Sequence, residues 1–335
     1  MRALKLLAAS VMLSSLLGLA ACGGGGSGYG GGGMTAAPGT AGSKLFTAQA
    51  GYPGIGSFVN PDPSTGTLIG DRFFYGSGLT PSVESLALDT VNDRLYVGNG
   101  TTILMYNGAS MAGSIISPDR TITGIGNAGS LFIDVGNNRL YVGDNAAGVQ
   151  VFDPADTAMT PTRFLTDNFG ASFQIHGVAV DPGKDILYVS NTAGVVPSNQ
   201  ITLFTASMAD GNMTPMATIT PVDGMSNNLS VAGIALDSTP TTGDRLYVAG
   251  SASTVMVFDN VSTLSGPQTP TRTITLPSQI GNVAIDPAGD RLYAVALSGG
   301  AMYIVEGAKT ATTSPSFQTI TPYYGNFTAV AVNPM

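Results

Sequence analysis

Residues 130–145 read SLFIDVGNNRLYVGDN, and this stretch decides the fold because its pattern recurs along the chain. Two short β-rich runs flank a cluster of Gly and Asn, which is the pattern of two strands joined by a tight turn. The pattern returns as SLALDTVNDRLYVGNG from Ser85, GVAVDPGKDILYVSNT from Gly177, GIALDSTPTTGDRLYVAG from Gly233 and NVAIDPAGDRLYAVAL from Asn282. The chain therefore carries an internal repeat.

The repeat has the length of a propeller blade. An aspartate ends the first run of each unit, and Asn333 takes its place in a sixth unit that begins AVAVNP from Ala329. The six positions, Asp89, Asp134, Asp181, Asp237, Asp286 and Asn333, are spaced by 45, 47, 56, 49 and 47 residues, as four-stranded blades require. No helical period interrupts them. We predict an all-β fold, a six-bladed β-propeller with four-stranded blades.

The two ends of residues 43–335 complete each other. The sixth unit stops after one strand, while the N-terminal runs KLFTAQ from Lys44, GSFVNP from Gly56 and DRFFYG from Asp71 match the second, third and fourth strands of the other units. We therefore predict a ring closed by one C-terminal strand plus three N-terminal strands. A closed ring leaves no open inner strand for aggregation, and we expect a monomer.

The N-terminal segment has the layout of a secretory signal over residues 1–21. Arg2 and Lys5 precede an apolar run that is too short to span a bilayer. The sequence LAAC, ending at Cys22, resembles the bacterial lipobox, which implies an acylated Cys22, a membrane attached through that anchor and, since Gly23 follows, outer-membrane delivery. The alternative is an ordinary signal with a chance cysteine. Residues 22–42 are Gly-rich, and we expect a disordered tether.

The charge of the chain argues against nucleic acid as a partner. The formal net charge is −8 and becomes −10 once residues 1–21, with two positive charges and no negative ones, are removed. Nucleic-acid binding needs Lys and Arg that neutralise phosphates.

The sequence also has no Gly-x-Ser-x-Gly elbow, no CxxC and no His-Glu-x-x-His motif, which disfavours the enzyme classes that use them.

The repeats over residues 43–335, marked by L-Y-V-x-N, resemble the NHL and lactonase-like superfamily of β-propellers. That resemblance implies architecture more than function, because the superfamily holds scaffolds, ligand binders and enzymes. The repeated aspartates stand before tight turns, where a carboxylate accepts backbone N–H bonds two residues on. We interpret them as turn-forming, because a catalytic site needs different residues from different blades.

A more informative column lies five residues before each repeated aspartate, where the chain reaches the innermost strand beside the central channel. In gluconolactonase-like hydrolases this column supplies ligands to a divalent metal, and the resemblance implies the same candidates here, whether for Ca²⁺ or Zn²⁺. Only Glu84 and His176 of this column could serve as metal ligands or catalytic groups. A metal normally takes three or more protein ligands, so the column alone does not make a site. The full column is Glu84, Gly129, His176, Ala232, Gly281 and Thr328.

A second column follows the second strand of each blade and should open on the same face. It is polar in four neighbouring blades and holds Gly250 and Ala296 in the other two, which suggests an off-centre pocket. The polar members, which we predict to bind ligand together with Glu84 and His176, are Gln49, Asn99, Asp144, Asn145 and Asn191.

Two functional hypotheses remain. The first is a membrane-anchored binding or scaffold module that recruits a protein, glycan or small molecule on this face. The alternative is a metal-dependent hydrolase or lyase of the lactonase-like kind, using Glu84 and His176 with Asn99, Asp144 or Asn191 beside them. We favour binding, because the metal column is depleted and propellers host many functions without chemistry.

Overall fold

The computed structural model describes residues 45–58, 72–81, 83–166, 173–192, 199–239, 243–250, 252–313, 315–322 and 325–332. The predicted signal, Cys22, the tether and Asn333 lie outside these residues. Within the described residues, no helix is long and apolar enough to cross a membrane.

The chain forms a six-bladed β-propeller with four strands in each blade, as predicted. Blade 1 contains Asn326–Val332 (β26), Leu45–Ala50 (β1), Tyr52–Phe58 (β2) and Arg72–Gly76 (β3). Blade 2 contains Val83–Asp89 (β4), Arg94–Asn99 (β5), Thr102–Asn107 (β6) and Arg120–Ile122 (β8). Blade 3 contains Ala128–Asp134 (β9), Arg139–Asp144 (β10), Gly148–Phe152 (β11) and Arg163–Leu165 (β12).

The remaining blades repeat this plan. Blade 4 contains Gln174–Asp181 (β13), Ile186–Thr192 (β14), Gln200–Thr205 (β15) and Ala217–Pro221 (β16). Blade 5 contains Ile234–Asp237 (β17), Arg245–Gly250 (β18), Thr254–Asp259 (β19) and Arg272–Thr275 (β21). Blade 6 contains Ile280–Asp286 (β22), Arg291–Ala296 (β23), Met302–Glu306 (β24) and Phe317–Ile320 (β25). Short 3₁₀ turns, Ala109–Met111, Ala206–Met208 and Val261–Thr263, follow the third strands of blades 2, 4 and 5.

The first strand of each blade is the innermost, and each contacts the innermost strand of the next blade around a central channel. Neighbouring strands within a blade are antiparallel, so the loops of the ring fall on two faces. We call the face where the inner strands begin the top face; it also carries the loops between second and third strands. The bottom face carries the turns between first and second strands and the loops between third and fourth strands.

The ring closes through blade 1, as the sequence predicts. The inner strand β26 pairs antiparallel with β1, with Leu45 opposite Val332 and Ala48 opposite Ala329. Strands from the two ends of the propeller therefore share one sheet.

The repeated L-Y-V triplet forms the core because successive side chains of a strand point to opposite sides of the sheet. In blade 2, Leu95 and Val97 pack with blade 1 residues such as Phe46. Tyr96, between them, packs with blade 3 residues such as Leu140. Both sides of each second strand are thus buried between blades, which is why the run is apolar without interruption.

The repeated aspartates cap the tight turns of the bottom face. Asp89 accepts the N–H groups of Val91 and Asn92 at 3.1 and 2.9 Å, and Asp181 accepts those of Gly183 and Lys184 at 3.0 and 3.1 Å. The local geometry agrees with the turn-forming interpretation of this column.

Two outer strands were missed by sequence analysis. Ser114–Ile116 (β7) pairs parallel with β3, and Gly266–Gln268 (β20) pairs parallel with β16. Each belongs to a loop between a third and a fourth strand that reaches back over the outer edge of the preceding blade. These additions cover edges that would otherwise offer unpaired backbone groups.

Candidate functional site

The central channel is an apolar cavity with a polar rim at its upper end. It has a volume of about 210 Å³ and is lined by all six inner strands, largely by Leu, Ile, Val and Ala side chains. Its polar lining residues are Ser85, Ser130, His176 and Asn282, each near the start of an inner strand. The channel therefore offers polar groups only toward the top face.

The column that contains Glu84 and His176 is a column of β-bulges. In blade 2, Val83 pairs with Asn99 and Ser85 pairs with Gly98, so Glu84 has no partner in the ladder. In blade 4, His176 is skipped in the same way between Ile175 and Gly177. A bulge bends the strand and re-aims a side chain, so the residue at this position leaves the regular alternation of the inner strand. The other skipped residues are Gly129, Gly281 and Thr328.

His176 lines the cavity and is partly buried. Its Nε2 lies 3.2 Å from Thr192 Oγ1 in the neighbouring strand of blade 4. Burial lowers the pKa of His176, because removal from water disfavours the charged imidazolium. The neutral ring is therefore the favoured form in the folded protein.

The lowered pKa of His176 predicts a loss of stability in mild acid. As the pH falls through the ordinary pKa of 6.5, the His176 ring takes up a proton in the unfolded chain before it does so in the folded chain. Protonation therefore favours the unfolded chain, and the free energy of unfolding that is present above that pH declines. We expect His176→Gln to lose less thermal stability than the wild type between about pH 7 and pH 5. Melting temperatures measured across this range test the expectation, and parallel pH profiles for the two proteins would contradict it.

Glu84 and His176 do not build a metal centre. Of the two, only His176 lines the channel cavity. Among the described residues, no group of three or more His, Cys, Asp or Glu side chains is placed to hold a metal ion. The described donor set does not fit Ca²⁺ or Zn²⁺, because each ion takes more ligands than the described part of this face brings together, and we derive no reaction through a metal.

The carboxylate of Asp144, in the second column, is occupied by hydrogen bonds within the protein. The carboxylate is fully buried and accepts hydrogen bonds from the N–H groups of Gly126, Asn127 and Ala146 at 2.7, 3.0 and 2.8 Å. It also accepts one from Gln150 Nε2 at 2.7 Å. Asp144 therefore holds the loop that leads into the inner strand of its own blade.

Asn99 holds the loop that leads into the inner strand of blade 2. Its Oδ1 accepts hydrogen bonds from the N–H and hydroxyl of Thr80, both at 2.8 Å, and its Nδ2 donates to the carbonyl of Gly78 at 2.8 Å. Asn145 instead reaches the next blade, where its Oδ1 accepts the N–H of Ile175 at 2.8 Å. A ligand-binding role for these side chains stays a prediction.

Gln49 and Asn191, the remaining members of the second column, are buried in blades 1 and 4. Asn191 Nδ2 lies 3.4 Å from Thr202 Oγ1. The structure thus places the whole column on the top face but directs most of it into the protein rather than toward solvent.

Apart from His176, the polar residues that line the upper channel stand one place after the bulge, and sequence analysis missed them. Ser85 donates to the carbonyl of Ala128 at 2.7 Å, and Ser130 accepts the N–H of Val178 at 2.9 Å, so both join neighbouring inner strands. Asn282 occupies the same place in blade 6. The signal in the sequence is the position four residues before the repeated aspartate, which is polar in blades 2, 3 and 6.

The two faces differ in their cationic side chains, although both carry carboxylates. Every Lys and Arg side chain that the structure describes lies at the bottom: at the start of a second strand, at the start of a fourth strand, or in a bottom-face loop. These residues are Arg94, Arg139, Arg245 and Arg291, then Arg120, Arg163 and Arg272, and finally Lys184 and Lys309. The top face presents the carboxylates of Glu84 and Asp223, with Asp144 buried beneath it, and carries no cationic side chain in its described part.

Comparison with known proteins identifies the fold and no family. No family model matches the chain, and no curated protein matches it in sequence. Among solved structures, the WD40 β-propeller domain of Doa1 is similar, with a TM-score of 0.54 over 86% of this chain and 82% of that chain at 14% sequence identity. At this identity the likeness supports the propeller fold alone.

Proposed function

We propose that this chain is an exported lipoprotein, anchored in a bacterial outer membrane through acyl chains on Cys22, whose propeller binds a partner on its top face. The signal layout of residues 1–21, the LAAC tetrapeptide and the Gly-rich residues that follow support the anchor. More than one acyl chain on the cysteine gives stable rather than marginal membrane binding.

The charge of the top face is the observation that carries the choice of partner. An anionic ligand would meet carboxylates there and no described Lys or Arg. Charge complementarity instead favours a segment of another protein that bears Lys or Arg, since opposite potentials speed encounter and suppress wrong partners. Glu84, displaced from its strand by the bulge and only partly buried, is the carboxylate best placed to meet such a segment.

Binding explains the top face better than hydrolysis does. The lactonase-like alternative needs several converging ligands or a base with a partner, whereas Asp144 and Asn99 are already occupied by the loops they hold. We therefore propose recognition and no reaction for this face.

The binding proposal is tested with a fluorescent decalysine peptide and a decaglutamate peptide of the same length. We expect decalysine to bind and decaglutamate not to. Glu84→Gln should weaken decalysine binding about threefold, the scale of one exposed ion pair. The matched control is Asp119→Asn on the bottom face, where the Asp119 carboxylate accepts the N–H of Asn107 at 2.7 Å. Binding that is weakened by Asp119→Asn and not by Glu84→Gln would contradict the proposal.

The anchor has its own test. Cells fed a labelled fatty acid should label the wild-type protein and leave the Cys22→Ser variant unlabelled. Equal labelling of the two proteins, or none of either, would contradict acylation at Cys22.

A further inference from the structure

Four exposed methionines lie in bottom-face loops of three consecutive blades. Met111, Met159, Met208 and Met216 are 53%, 53%, 66% and 60% exposed, and we call them the methionine rim. All four belong to loops between the third and fourth strands of blades 2, 3 and 4, which are consecutive in the ring. Exposed apolar side chains that cluster on one part of a surface mark an interaction site.

The methionine rim is held in place by the fold. Met111 ends a 3₁₀ turn that Asp93 fixes by accepting the N–H and hydroxyl of Ser110, both at 2.8 Å. Met208 ends an identical Ala-Ser-Met turn, fixed by Asp185, which accepts the N–H and hydroxyl of Ser207 at 2.7 and 2.5 Å. The side chains are therefore presented outward from rigid turns.

The same turn carries no methionine on the other side of the ring. In blade 5 the 3₁₀ turn Val261–Thr263 ends in Thr263, and in blade 6 the corresponding loop reads Ala308-Lys309-Thr310. The turn itself does not require methionine, since Thr263 and Thr310 occupy it. The exposed methionines of the bottom face are thus confined, among the described residues, to blades 2, 3 and 4.

The chain reaches the propeller from this same face. Leu45 begins β1 opposite Val332, at the bottom end of the inner strand of blade 1. The 22 residues between Cys22 and Leu45 are Gly-rich, and a flexible chain of that length has a reach of about 25 Å. The chain that follows Cys22 therefore joins the described propeller on the face that carries the methionine rim.

We propose that the methionine rim rests on the bilayer that holds the anchor, between headgroups and acyl chains, so that the top face points away from the membrane. This inference rests on the lipid anchor proposed above. Methionine suits the contact, because it is apolar, unbranched and able to adapt to an irregular surface. Tethering raises the local concentration of the rim at the lipid, so contacts that are weak one by one are sufficient.

Methionine oxidation tests the contact in the intact lipoprotein. Wild-type protein in phosphatidylethanolamine and phosphatidylglycerol vesicles, isolated by flotation, is treated with hydrogen peroxide, and the rate at each methionine is read by mass spectrometry. The reference is the Cys22→Ser protein mixed with the same vesicles. Met225, 82% exposed in the loop between β16 and β17 on the top face, is the internal control.

We expect all four rim methionines to oxidise several-fold more slowly in the floated protein and Met225 to oxidise at the reference rate. In the Met111→Thr, Met208→Thr double variant, which restores the residue of blades 5 and 6, protection of Met159 and Met216 should fall. If the protein floats with the vesicles but the rim methionines oxidise at the reference rate, the proposed contact of the methionine rim with the bilayer is wrong. The lipid anchor is still supported by that result. Protection of Met225 alone would overturn the orientation, and failure to float would overturn the anchor and the docking together.

Discussion

Removal of residues 326–335 is expected to abolish cooperative unfolding. The deletion takes away β26, the inner strand of blade 1, and with it the buried side chains of Phe327, Ala329 and Val330. It leaves β1 with an unpaired edge and opens the channel wall between β4 and β22. Because each blade buries both of its sides against neighbours, the loss propagates around the ring. Calorimetry or circular dichroism on heating should show no sharp transition.

A circular permutant separates ring closure from simple loss of residues. The permutant begins at Gly325, joins residue 335 directly to residue 43 and ends at residue 324. Five residues then connect β26 to β1, close to the four that connect β4 to β5. We expect this protein to unfold cooperatively near the wild-type temperature. A deletion variant that melts as sharply as the permutant would refute the closure argument.

Asp144→Ala is expected to be the most damaging single substitution on the top face. It leaves the N–H groups of Gly126, Asn127 and Ala146 and the amide of Gln150 without the acceptor they share. The unfolding free energy should fall by about 3 to 5 kcal/mol, the range for a broken buried polar network. The melting temperature should fall by about 10 °C in a domain of this size.

Two variants make the Asp144 measurement specific. Asp144→Asn keeps the volume and one acceptor oxygen, so it should lie between Asp144→Ala and the wild type. Asn145→Ala removes a single acceptor, for the N–H of Ile175, and should cost about 1 kcal/mol. If Asp144→Ala melted at the same temperature as the wild type, the carboxylate would have no structural role. That result would favour Asp144 as a ligand-binding residue.

The fold could be predicted because the repeat encodes it redundantly. The side chains of Leu95, Tyr96 and Val97 alternate in the same way as the corresponding residues of the other blades. The sequence therefore predicts the core between blades from five copies of the same pattern. The outer strands β7 and β20 could not be predicted in this way. Each is three residues long, belongs to a loop that varies in sequence, and pairs with a strand of another blade.

The top face was only partly predictable, because a residue's position in the sequence does not fix the direction of its side chain. Asn99 and Asp144 stand where the sequence places them, but their partners are mostly backbone groups 17 to 21 residues earlier, which leave no pattern in the sequence. Glu84 and His176 were singled out by resemblance, and the bulge that sets them apart appears only in the strand pairing.

The pairing of β26 with β1 also has a consequence for biosynthesis. Among the described strands, β26 is synthesised after all the others, yet it occupies the innermost place of the blade that contains β1. A nascent or prematurely terminated chain therefore keeps β1 exposed, however well blades 2 to 6 have formed. Burial of the β1 edge therefore depends on synthesis of β26, even though the two strands lie at opposite ends of the described propeller sequence.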